Sequence, residues 1–514
     1  MRSALSRVFG ALRTSASVVL LSAGCAPSDA AEPASAPAAA SACASSCTVG
    51  ARRCSERGDP EECRSEANCG AWHPVDACVG ETACRDGECA SLSPRQIEQK
   101  KDLATFVDKL AASTGSYLDL GVDAQDVLSA SVTTLVAGAD DDAAYYRAAR
   151  RALVGFRNGH IDLFSNTKCG SAELPELFTS RVGACAQPFR DHAVVAYANE
   201  GNALGLRAGD RIVSVDGRAG AAMLDAAFHQ AACGVGSSSE SNRRFVSATS
   251  LFAAVRVGST VEVARVDGTV ETKTVERLEA PVLCRFPHPG SHAYPAKATR
   301  RSDGVAVVEV PTFLLPTSPR MTESDLAERI AEELDKAKDA KGIVWDLRGN
   351  PGGATFVGLS IVGGMPGFTK GVLAKCAARQ FGSVPFAPVP GSTITFQVSA
   401  QSRFAYAGKV AVIVDGLTTS AGDYFALAVS SMTGGQVALV GSPTAGAFGG
   451  VGKPYDFGKL LPMRFTADES RCTDPTGAPL ERRGVEPAHL VELQPEDLQA
   501  GRDTVVEAAA ALVR

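Results

Sequence analysis

Apolar runs of strand length alternate with amphipathic stretches through the C-terminal part of the chain. Runs that suit buried strands cover residues 304–310, 342–347, 410–414 and 437–440. Helical spacing of apolar residues covers residues 322–338, residues 355–363 and the stretch that follows Ser420. A buried strand is a continuous apolar run, whereas a helix repeats its apolar positions every three or four residues. The alternation of the two patterns predicts a parallel α/β core.

Upstream of this core the pattern is helical and then breaks. Residues 93–156 repeat apolar side chains at helical spacing, and we predict an N-terminal helical region over residues 93–180. The repeat stops at the string RNGH, and residues 161–164 then alternate. His160 is therefore predicted at a turn that leads into a strand. A single histidine in a loop is usually only solvated, so this position alone does not indicate a function.

Residues 186–280 carry the alternation and the turn signals of a β-rich region. The string GLRAGD precedes an apolar strand, and an Asp-Gly turn at 267–268 joins two alternating runs. This layout resembles a PDZ domain, which binds a peptide as an added strand. The resemblance implies that Gly205 and Leu206 bind peptide. The alternative is a β-rich spacer without a groove, because the stretch 234–244 interrupts the expected groove helix.

The first 92 residues divide into three segments. Residues 1–24 combine basic positions with a short apolar stretch and predict a signal peptide. Residues 25–46 are rich in Ala, Pro and Ser and predict a tether. Residues 47–92 hold too few apolar residues for a core, so we predict a Cys-rich disulfide module. A zinc site is the alternative, but no paired C-x-x-C spacing supports it. The cysteines expected to form four disulfides are Cys43, Cys47, Cys54, Cys63, Cys69, Cys78, Cys84 and Cys89.

The end of the signal peptide suggests two modes of export. The string LSAGC at residues 21–25 resembles the lipobox of bacterial lipoproteins, which implies lipidation of Cys25 and anchoring in the cell envelope, at the outer membrane. Ordinary cleavage, for example after Ala30, would instead release a secreted protein. Of 15 cysteines, 14 remain without Cys25, an even number that suits a disulfide-paired exported protein.

Composition argues against several classes of function. The 514 residues carry a net charge of −6 without a long basic run, which gives no support to nucleic-acid binding. After the leader no segment is long and apolar enough to cross a bilayer. The pattern of residues implies no metal ion and no cofactor.

Ser420 is the first candidate for chemistry. It stands between the apolar run 410–414 and a helical stretch, where the N–H groups of a helix start are free. A hydroxyl held there can attack a carbonyl while those N–H groups stabilise the oxyanion. Ser420 or Thr419 can equally be an ordinary N-cap, because Ser and Thr are preferred at that position.

Two strings that occur in one order resemble a known family. DLRGNPGG occupies residues 346–353, and TTSAGDYFA with VGSPTAG falls within residues 418–446. Together they resemble the C-terminal-processing and tricorn-core family of serine peptidases, over most of residues 95–514. The resemblance implies a multidomain α/β protein with a crotonase-like peptidase core at residues 298–514. The disulfide-rich module, the helical region and the PDZ-like domain precede that core.

The resemblance also implies roles for single residues. Ser420 falls on the nucleophile of the family, and Asp423 stands in place of the Glu that the family has there. The N–H of Ala421 falls on one donor of the oxyanion hole. The glycine turn of DLRGNPGG, at Gly352, falls on the other.

The general base divides the family into two branches. Processing proteases use a lysine that falls on Ala447 here, so a Ser–Lys dyad is absent, and Lys453 further along the loop is a weak substitute. Tricorn-like members use a histidine from the region before the PDZ-like insert and a Glu before the closing strand. On that branch the resemblance implies His160 as the base and Glu481 as the residue that orients it. The rivals for these two roles are His489 and Glu486.

We therefore expect an exported serine endopeptidase that acts through an acyl-enzyme on protein or peptide substrates. The PDZ-like domain would bind peptides or gate access, and the oligomeric state stays open. The alternative is a non-catalytic ligand- or peptide-binding lipoprotein on the same fold, like the retinoid-binding repeats of the eye. A third possibility is an adhesion or scaffold lipoprotein that works through the Cys-rich module. The disulfides expected in the core region are Cys169–Cys185, Cys233–Cys284 and Cys376–Cys472.

Overall fold

The computed structural model describes residues 47–514 except residues 56, 67–68, 165–176, 231–233, 286–295, 317–319, 399–403, 451 and 461. The predicted signal peptide, the tether and Cys25 lie outside the described residues. The described part is a mixed α/β fold with a disulfide-rich region at its N-terminal end.

The helices are α1 (Pro94–Ser113), α2 (Ala124–Ala137), α3 (Asp142–Gly155), α4 (Gly220–Gln230), α5 (Glu240–Thr249), α6 (Glu323–Asp335), α7 (Thr355–Val362), α8 (Ala421–Ser430), α9 (Pro495–Gln499) and α10 (Thr504–Val513). A short 3-10 helix covers Tyr117–Asp119.

The strands as far as the β-rich region are β1 (Arg52–Cys54), β2 (Pro60–Glu66), β3 (Cys69–Pro74), β4 (Thr82–Arg85), β5 (Glu88–Ser91), β6 (Asp162–Phe164), β7 (Thr179–Ser180), β8 (Ala184–Phe189), β9 (His192–Ala198), β10 (Arg211–Val215), β11 (Arg218–Ala219), β12 (Gly234–Val235), β13 (Thr260–Ala264) and β14 (Val270–Thr274). The later strands are β15 (Val282–Leu283), β16 (Lys297–Arg300), β17 (Ala306–Glu309), β18 (Gly342–Asp346), β19 (Gly371–Ala378), β20 (Ile394–Val398), β21 (Lys409–Val414), β22 (Val437–Gly441), β23 (Pro454–Phe457), β24 (Met463–Thr466), β25 (Ser470–Thr473) and β26 (His489–Leu490).

The predicted parallel core is a sheet of order β16-β17-β18-β21-β22-β26, in which the pairs from β17 to β26 are parallel. Its central strands β18 and β21 are apolar and buried because both faces are covered, whereas the edge strands β16 and β26 are largely exposed. Trp345 packs with Phe425 of α8 on one face. Val344, from the same strand, packs with Ala509 of α10 on the other face. Each predicted strand of this sheet lies within one or two residues of its observed bounds.

A second sheet, of order β12-β6-β24-β23, connects the helical region to the core region. In β6, Leu163 pairs with Phe465 of β24, and both side chains join Leu153 of α3 in one apolar cluster. The turn that contains His160 lies between α3 and β6, as the pattern predicts. This sheet therefore places that turn beside the loops that surround β24.

The β-rich region forms an antiparallel sheet of order β14-β13-β10-β9-β8. The hairpin predicted across the Asp-Gly turn is present, with Ala264 opposite Val270. The interruption noted at residues 234–244 separates two helices, since α4 ends at Gln230 and α5 begins at Glu240. Ser239 caps α5 by accepting a hydrogen bond from the Asn242 N–H.

The disulfides correct two of the expected pairings. Cys376–Cys472 is confirmed and joins the paired strands β19 and β25. Cys185 is bonded to Cys284, so the pairs Cys169–Cys185 and Cys233–Cys284 were wrong. Cys185 and Cys284 are 99 residues apart in the sequence. They can pair because β15, which directly precedes Cys284, lies beside β8 in the fold. The described disulfides of the N-terminal module are Cys47–Cys63, Cys54–Cys84 and Cys78–Cys89.

These disulfides are typical of proteins from oxidising, extracytoplasmic compartments. Within the part of the chain that the structure covers, every helix is too short or too polar to span a bilayer.

Candidate active site

Ser420 lies at the turn between β21 and α8, in a backbone conformation that residues other than glycine rarely adopt. Its φ of 57° and ψ of −115° keep it outside the helix, while Ala421 starts the first turn. The side chain is half-buried rather than sealed. Such strained positions persist where the surroundings hold them, and they cluster at active sites.

The carboxylate of Asp423 holds this turn in place. It accepts hydrogen bonds from the Ser420 N–H at 2.8 Å, the Gly446 N–H at 2.9 Å and the Ala447 N–H at 3.1 Å. The hydroxyl of Thr444 also donates to it. Burial raises the pKa of Asp423 to about 6, although these hydrogen bonds oppose the rise. Asp423 thus ties the serine turn to the glycine-rich loop after β22.

The glycine turn of DLRGNPGG packs directly on the serine. A Cβ atom at Gly352 would lie 2.6 Å from the Ser420 Cβ and 2.8 Å from the Ala421 nitrogen, so only glycine fits. Among the described residues the Ala421 N–H has no hydrogen-bond partner. The Gly352 N–H donates to the Asn350 Oδ1 at 2.8 Å, whereas the next N–H of the turn, that of Gly353, has no described partner. Gly352 as an oxyanion donor stays a prediction.

His160 is buried at the end of the turn that follows α3. Its own N–H donates to the Asn158 Oδ1 at 2.8 Å, and only 8% of the residue is exposed. Its Nδ1 atom has no hydrogen-bond partner among the described residues. Burial lowers the pKa of His160 below its usual 6.5, while the negative charge of Asp468 opposes that change.

His160 lines the same cavity as the residues on either side of the serine turn. The cavity has a volume of ≈ 210 Å³, and its lining includes His160, Thr419 and Pro351. Thr419 directly precedes Ser420, and Pro351 belongs to the glycine turn that packs on it. The turn that contains His160 and the turn that contains Ser420 therefore lie at the same cavity, although they are more than 250 residues apart in the sequence.

Glu481 reaches the histidine turn through a serine that the sequence analysis missed. Its Oε1 atom accepts a hydrogen bond from the Ser238 hydroxyl at 2.6 Å. The Ser238 Oγ atom in turn accepts a hydrogen bond from the Gly159 N–H at 2.7 Å. Its Oε2 atom accepts the Phe448 N–H at 3.0 Å. In the described residues no hydrogen bond joins Glu481 to His160 directly.

Asp468 is a second buried carboxylate on the histidine side, and it too was missed. Its oxygens accept hydrogen bonds from the Asn158 amide at 2.9 Å and from the N–H groups of Gly450 and Ser470 at 3.0 Å. Burial raises the pKa of Glu481 well above its usual value, and the charge of Asp468 adds to the rise. Of these missed residues only Asn158 lies beside a predicted site residue, and no spacing rule marks Ser238 or Asp468.

Ala447, the residue on which the lysine of the processing proteases is predicted to fall, packs against the histidine turn. A Cβ atom at Gly159 would lie only 3.1 Å from the Ala447 side chain, which is fully buried. The Ala447 carbonyl accepts the Ser420 N–H at 3.2 Å. A longer side chain here would collide with the turn that carries His160. The described rivals Lys453, Glu486 and His489 are all exposed.

Gly205 and Leu206 belong to a separate part of the molecule. Leu206 is buried in the core of the β-rich sheet, which the cluster around Ser420 does not share. Its N–H donates to the Asn202 Oδ1 at 2.9 Å, and its carbonyl accepts from the Asn202 Nδ2 at 2.8 Å. Because the Asn202 side chain already binds the N–H and the carbonyl of Leu206, a peptide that pairs with Leu206 would have to displace the Asn202 side chain. The assignment stays a prediction.

A comparison with protein families identifies the core. The profile of peptidase family S41 matches residues 304–491. Residues 304–491 are therefore a serine-hydrolase region of peptidase family S41. None of the curated proteins matches the chain. The S41 region contains Gly352, Ser420 and Glu481, whereas His160 lies upstream of it.

Several solved structures share the fold over most of this S41 peptidase. The crystal structure of mature CPAF has a TM-score of 0.58 at 14% identity, covering 81% of this chain and 96% of that chain. The structure of mature CPAF complexed with lactacystin has a TM-score of 0.55 at 14% identity, covering 82% of this chain and 98% of that chain. A serine-to-alanine mutant of CPAF has a TM-score of 0.55 at 14% identity, covering 79% of this chain and 95% of that chain. At this identity the likeness shows the fold alone.

Proposed function

We propose that this S41 peptidase is an exported endopeptidase that hydrolyses peptide bonds through an acyl-enzyme on Ser420, with His160 as general base. The observation that carries the proposal is the cavity of ≈ 210 Å³ lined jointly by His160, Thr419 and Pro351. A peptide bound against Thr419 and Pro351 would bring its carbonyl next to the turns that carry Ser420 and the free backbone N–H groups, with His160 on the wall of the same cavity. These are the groups that acyl transfer needs.

The environment of His160 suits a base. Because burial lowers its pKa, the imidazole is neutral at pH 7 and can accept the proton of the Ser420 hydroxyl. The same proton can then pass to the leaving amine. A serine hydroxyl without such a base is a poor nucleophile. Because Ala447 stands where the processing proteases have their lysine base, His160 has to supply the base here.

The oxyanion would be stabilised by the start of α8 and the glycine turn. The Ala421 N–H is free among the described residues and lies at the N-terminus of the helix, where the dipole favours negative charge. We assign the second donor to the turn at Gly352. The N–H of Gly352 can donate to the oxyanion once its hydrogen bond to the Asn350 Oδ1 is broken. The N–H of Gly353 can donate without any such change.

Glu481 would orient the base indirectly. Its hydrogen bond from Ser238, and that of Gly159 to Ser238, fix the turn that carries His160. Its bond from the Phe448 N–H fixes the loop beside Ala447. The charge of Asp468, rather than that of Glu481, favours the imidazolium that forms during attack.

Export is supported by the disulfides, which need an oxidising compartment. Protein or peptide substrates follow from the family. The lipid anchor on Cys25 and a peptide-binding or gating role of the PDZ-like region, both inferred from the sequence, complete the proposal.

Labelling with a fluorophosphonate tests the proposed function, because the probe reacts with activated serines. The intact protein should be labelled, and Ser420→Ala should abolish the labelling. Ser430→Ala is the matched control, since Ser430 is exposed near the end of the same helix and should keep the signal. Circular dichroism would verify that each variant is folded. A folded wild-type protein with intact disulfides that shows no labelling would exclude the peptidase and favour the carrier alternative.

A further inference from the structure

Arg285 lines the proposed catalytic cavity together with His160 and Thr419. It directly follows Cys284, whose disulfide to Cys185 anchors this segment to β8. The Cys284 N–H also donates to the Phe178 carbonyl at 2.7 Å. The arginine is therefore held at the cavity by its own backbone and not only by its side chain.

The guanidinium is positioned by neutral groups. Its Nε atom donates to the Gly349 carbonyl at 2.8 Å and its Nη2 atom to the Leu417 carbonyl at 3.3 Å. Its central carbon lies 4.9 Å from the centre of the Phe178 ring, a distance suited to a cation–π contact. Among the described residues the Nη1 atom has no hydrogen-bond partner. These contacts fix the guanidinium and leave part of its donor capacity unused.

The described residues offer Arg285 no carboxylate at ion-pair distance. Asp415 acts on it only through its charge, because the Asp415 Oδ1 accepts the N–H groups of Gly349 and Leu417 at 3.0 Å. Asp162 also lines the cavity, but its charge acts on the buried Arg150. Burial lowers the pKa of Arg285 to about 10, so the side chain still carries its charge at neutral pH.

Arg285 is half-buried, and a cation that is partly withdrawn from water without a paired anion is destabilising. A charge-assisted bond to a carboxylate would offset that cost. The cavity of ≈ 210 Å³ has room for a side chain of ordinary size. Apart from Arg285, His160 and Asp162, none of its lining residues is titratable.

We propose that Arg285 forms a carboxylate-binding subsite beside the catalytic serine, so that this peptidase prefers substrates with a carboxylate close to the cleaved bond. The carboxylate comes either from an Asp or Glu side chain or from the C-terminus of the substrate. The inference rests on the proposed function and specifies its substrate class. Arg285 is then a specificity-determining residue as well as a link between the glycine turn and the serine turn.

Matched fluorogenic peptides test the inference. Pairs would differ only by Glu or Gln at one position near the cleaved bond, or by a free or amidated C-terminus. Wild-type protein should favour one carboxylate peptide over its neutral match by about 10-fold or more in kcat/KM, because charged hydrogen bonds are worth that much. A preference within the Glu and Gln pairs indicates a side chain, and a preference for the free C-terminus indicates the chain end.

Variants separate specificity from structure. Arg285→Gln should bring the ratio of kcat/KM within each pair close to one, even if the absolute rate falls because the two turns lose a link. Arg285→Lys keeps the charge without the planar fork and should keep part of the preference. Arg218→Gln, at an exposed arginine of β11, is the control and should keep the wild-type ratio.

The outcomes distinguish this inference from the proposed function. Wild-type protein that reacts with the fluorophosphonate but cleaves both members of every pair equally well overturns the subsite and leaves the peptidase. A full preference in Arg285→Gln also overturns it. Protein that neither reacts with the probe nor cleaves any peptide overturns both.

Discussion

Two buried carboxylate sites support the proposed active site, one at the serine turn and one at the histidine turn, and they differ in the number of acids that they hold. On the serine side Asp423 accepts hydrogen bonds from three N–H groups and one hydroxyl. On the histidine side Glu481 and Asp468 are both buried, and the charge of Asp468 helps to raise the pKa of Glu481. One side is a single acid surrounded by donors, and the other is a pair of acids with fewer donors for each charge.

The difference indicates what each side contributes. Donors that converge on Asp423 hold the serine turn rigidly, as a preorganised nucleophile requires. The histidine side contains several groups that affect one another's protonation, so its charge changes with pH. We therefore expect the serine side to contribute mainly to stability and the histidine side to determine the protonation of the base, while Asp423, with a pKa of about 6, titrates in the same pH range.

Replacement of the base should have the largest effect. His160→Ala should lower kcat/KM by about 10²–10⁴-fold, the usual contribution of a general base, with little change in the free energy of unfolding. His489→Ala is the control, because His489 is exposed on the edge strand β26. Peptide hydrolysis and the rate of fluorophosphonate labelling would both report the effect. A large loss in His489→Ala and none in His160→Ala would make the assignment of the base wrong.

Removal of the acid on the serine side should mainly reduce stability. Asp423→Ala leaves the N–H groups of Gly446 and Ala447 without their acceptor, and each unsatisfied buried donor costs about 1–3 kcal/mol. The Ser420 N–H loses the shorter of its two hydrogen bonds and keeps the one to the Ala447 carbonyl. We expect the free energy of unfolding to fall by about 3–5 kcal/mol, measured by urea denaturation. Glu323→Ala, in the exposed first turn of α6, should change it by less than about 1 kcal/mol. Equal losses in both variants would contradict the role assigned to Asp423.

The two sides also differ in how far they could be predicted. The strand, the turn and the helix around Ser420 lie in one contiguous stretch, so hydrophobic periodicity and one motif were sufficient to predict them. The helix start and the apolar strand are local properties, which a sequence records directly. The glycine turn needed a second motif, and its contact with Ser420 follows from the parallel pairing of β18 and β21.

The histidine side could be predicted only in part. The turn at His160 was visible as a break between two patterns, but its supporting residues were not. Asn158 and Asp468 are 310 residues apart, and Ser238 and Glu481 are 243 residues apart. Strands of two to four residues, β12, β6 and β24, bring them together, and such short strands carry almost no periodic signal. The pairing of Cys185 with Cys284 escaped prediction for the same reason.

The smallest effect concerns the pH profile. The pKa of His160 is lowered by burial and raised in part by the charge of Asp468. Its neutral form is the active base, so kcat/KM should fall as the pH drops through a pKa below 6.5. Asp468→Asn removes the charge that favours the imidazolium, and the acid limb should move to still lower pH. The activity itself should fall by about 10-fold, because Asn158 loses its acceptor and holds the turn less firmly.

The control for this shift is Asp456→Asn, an exposed acid of β23 that pairs with Arg464. Solvent screens its charge, so its acid limb should coincide with that of the wild-type protein. The profile of kcat/KM between about pH 4 and pH 8 measures both variants, with unfolding followed at each pH to exclude denaturation. An acid limb that stays in place or moves to higher pH in Asp468→Asn would contradict the coupling of His160 to this carboxylate. The pH-responsive side of the site would then be Glu481 alone, acting through Ser238.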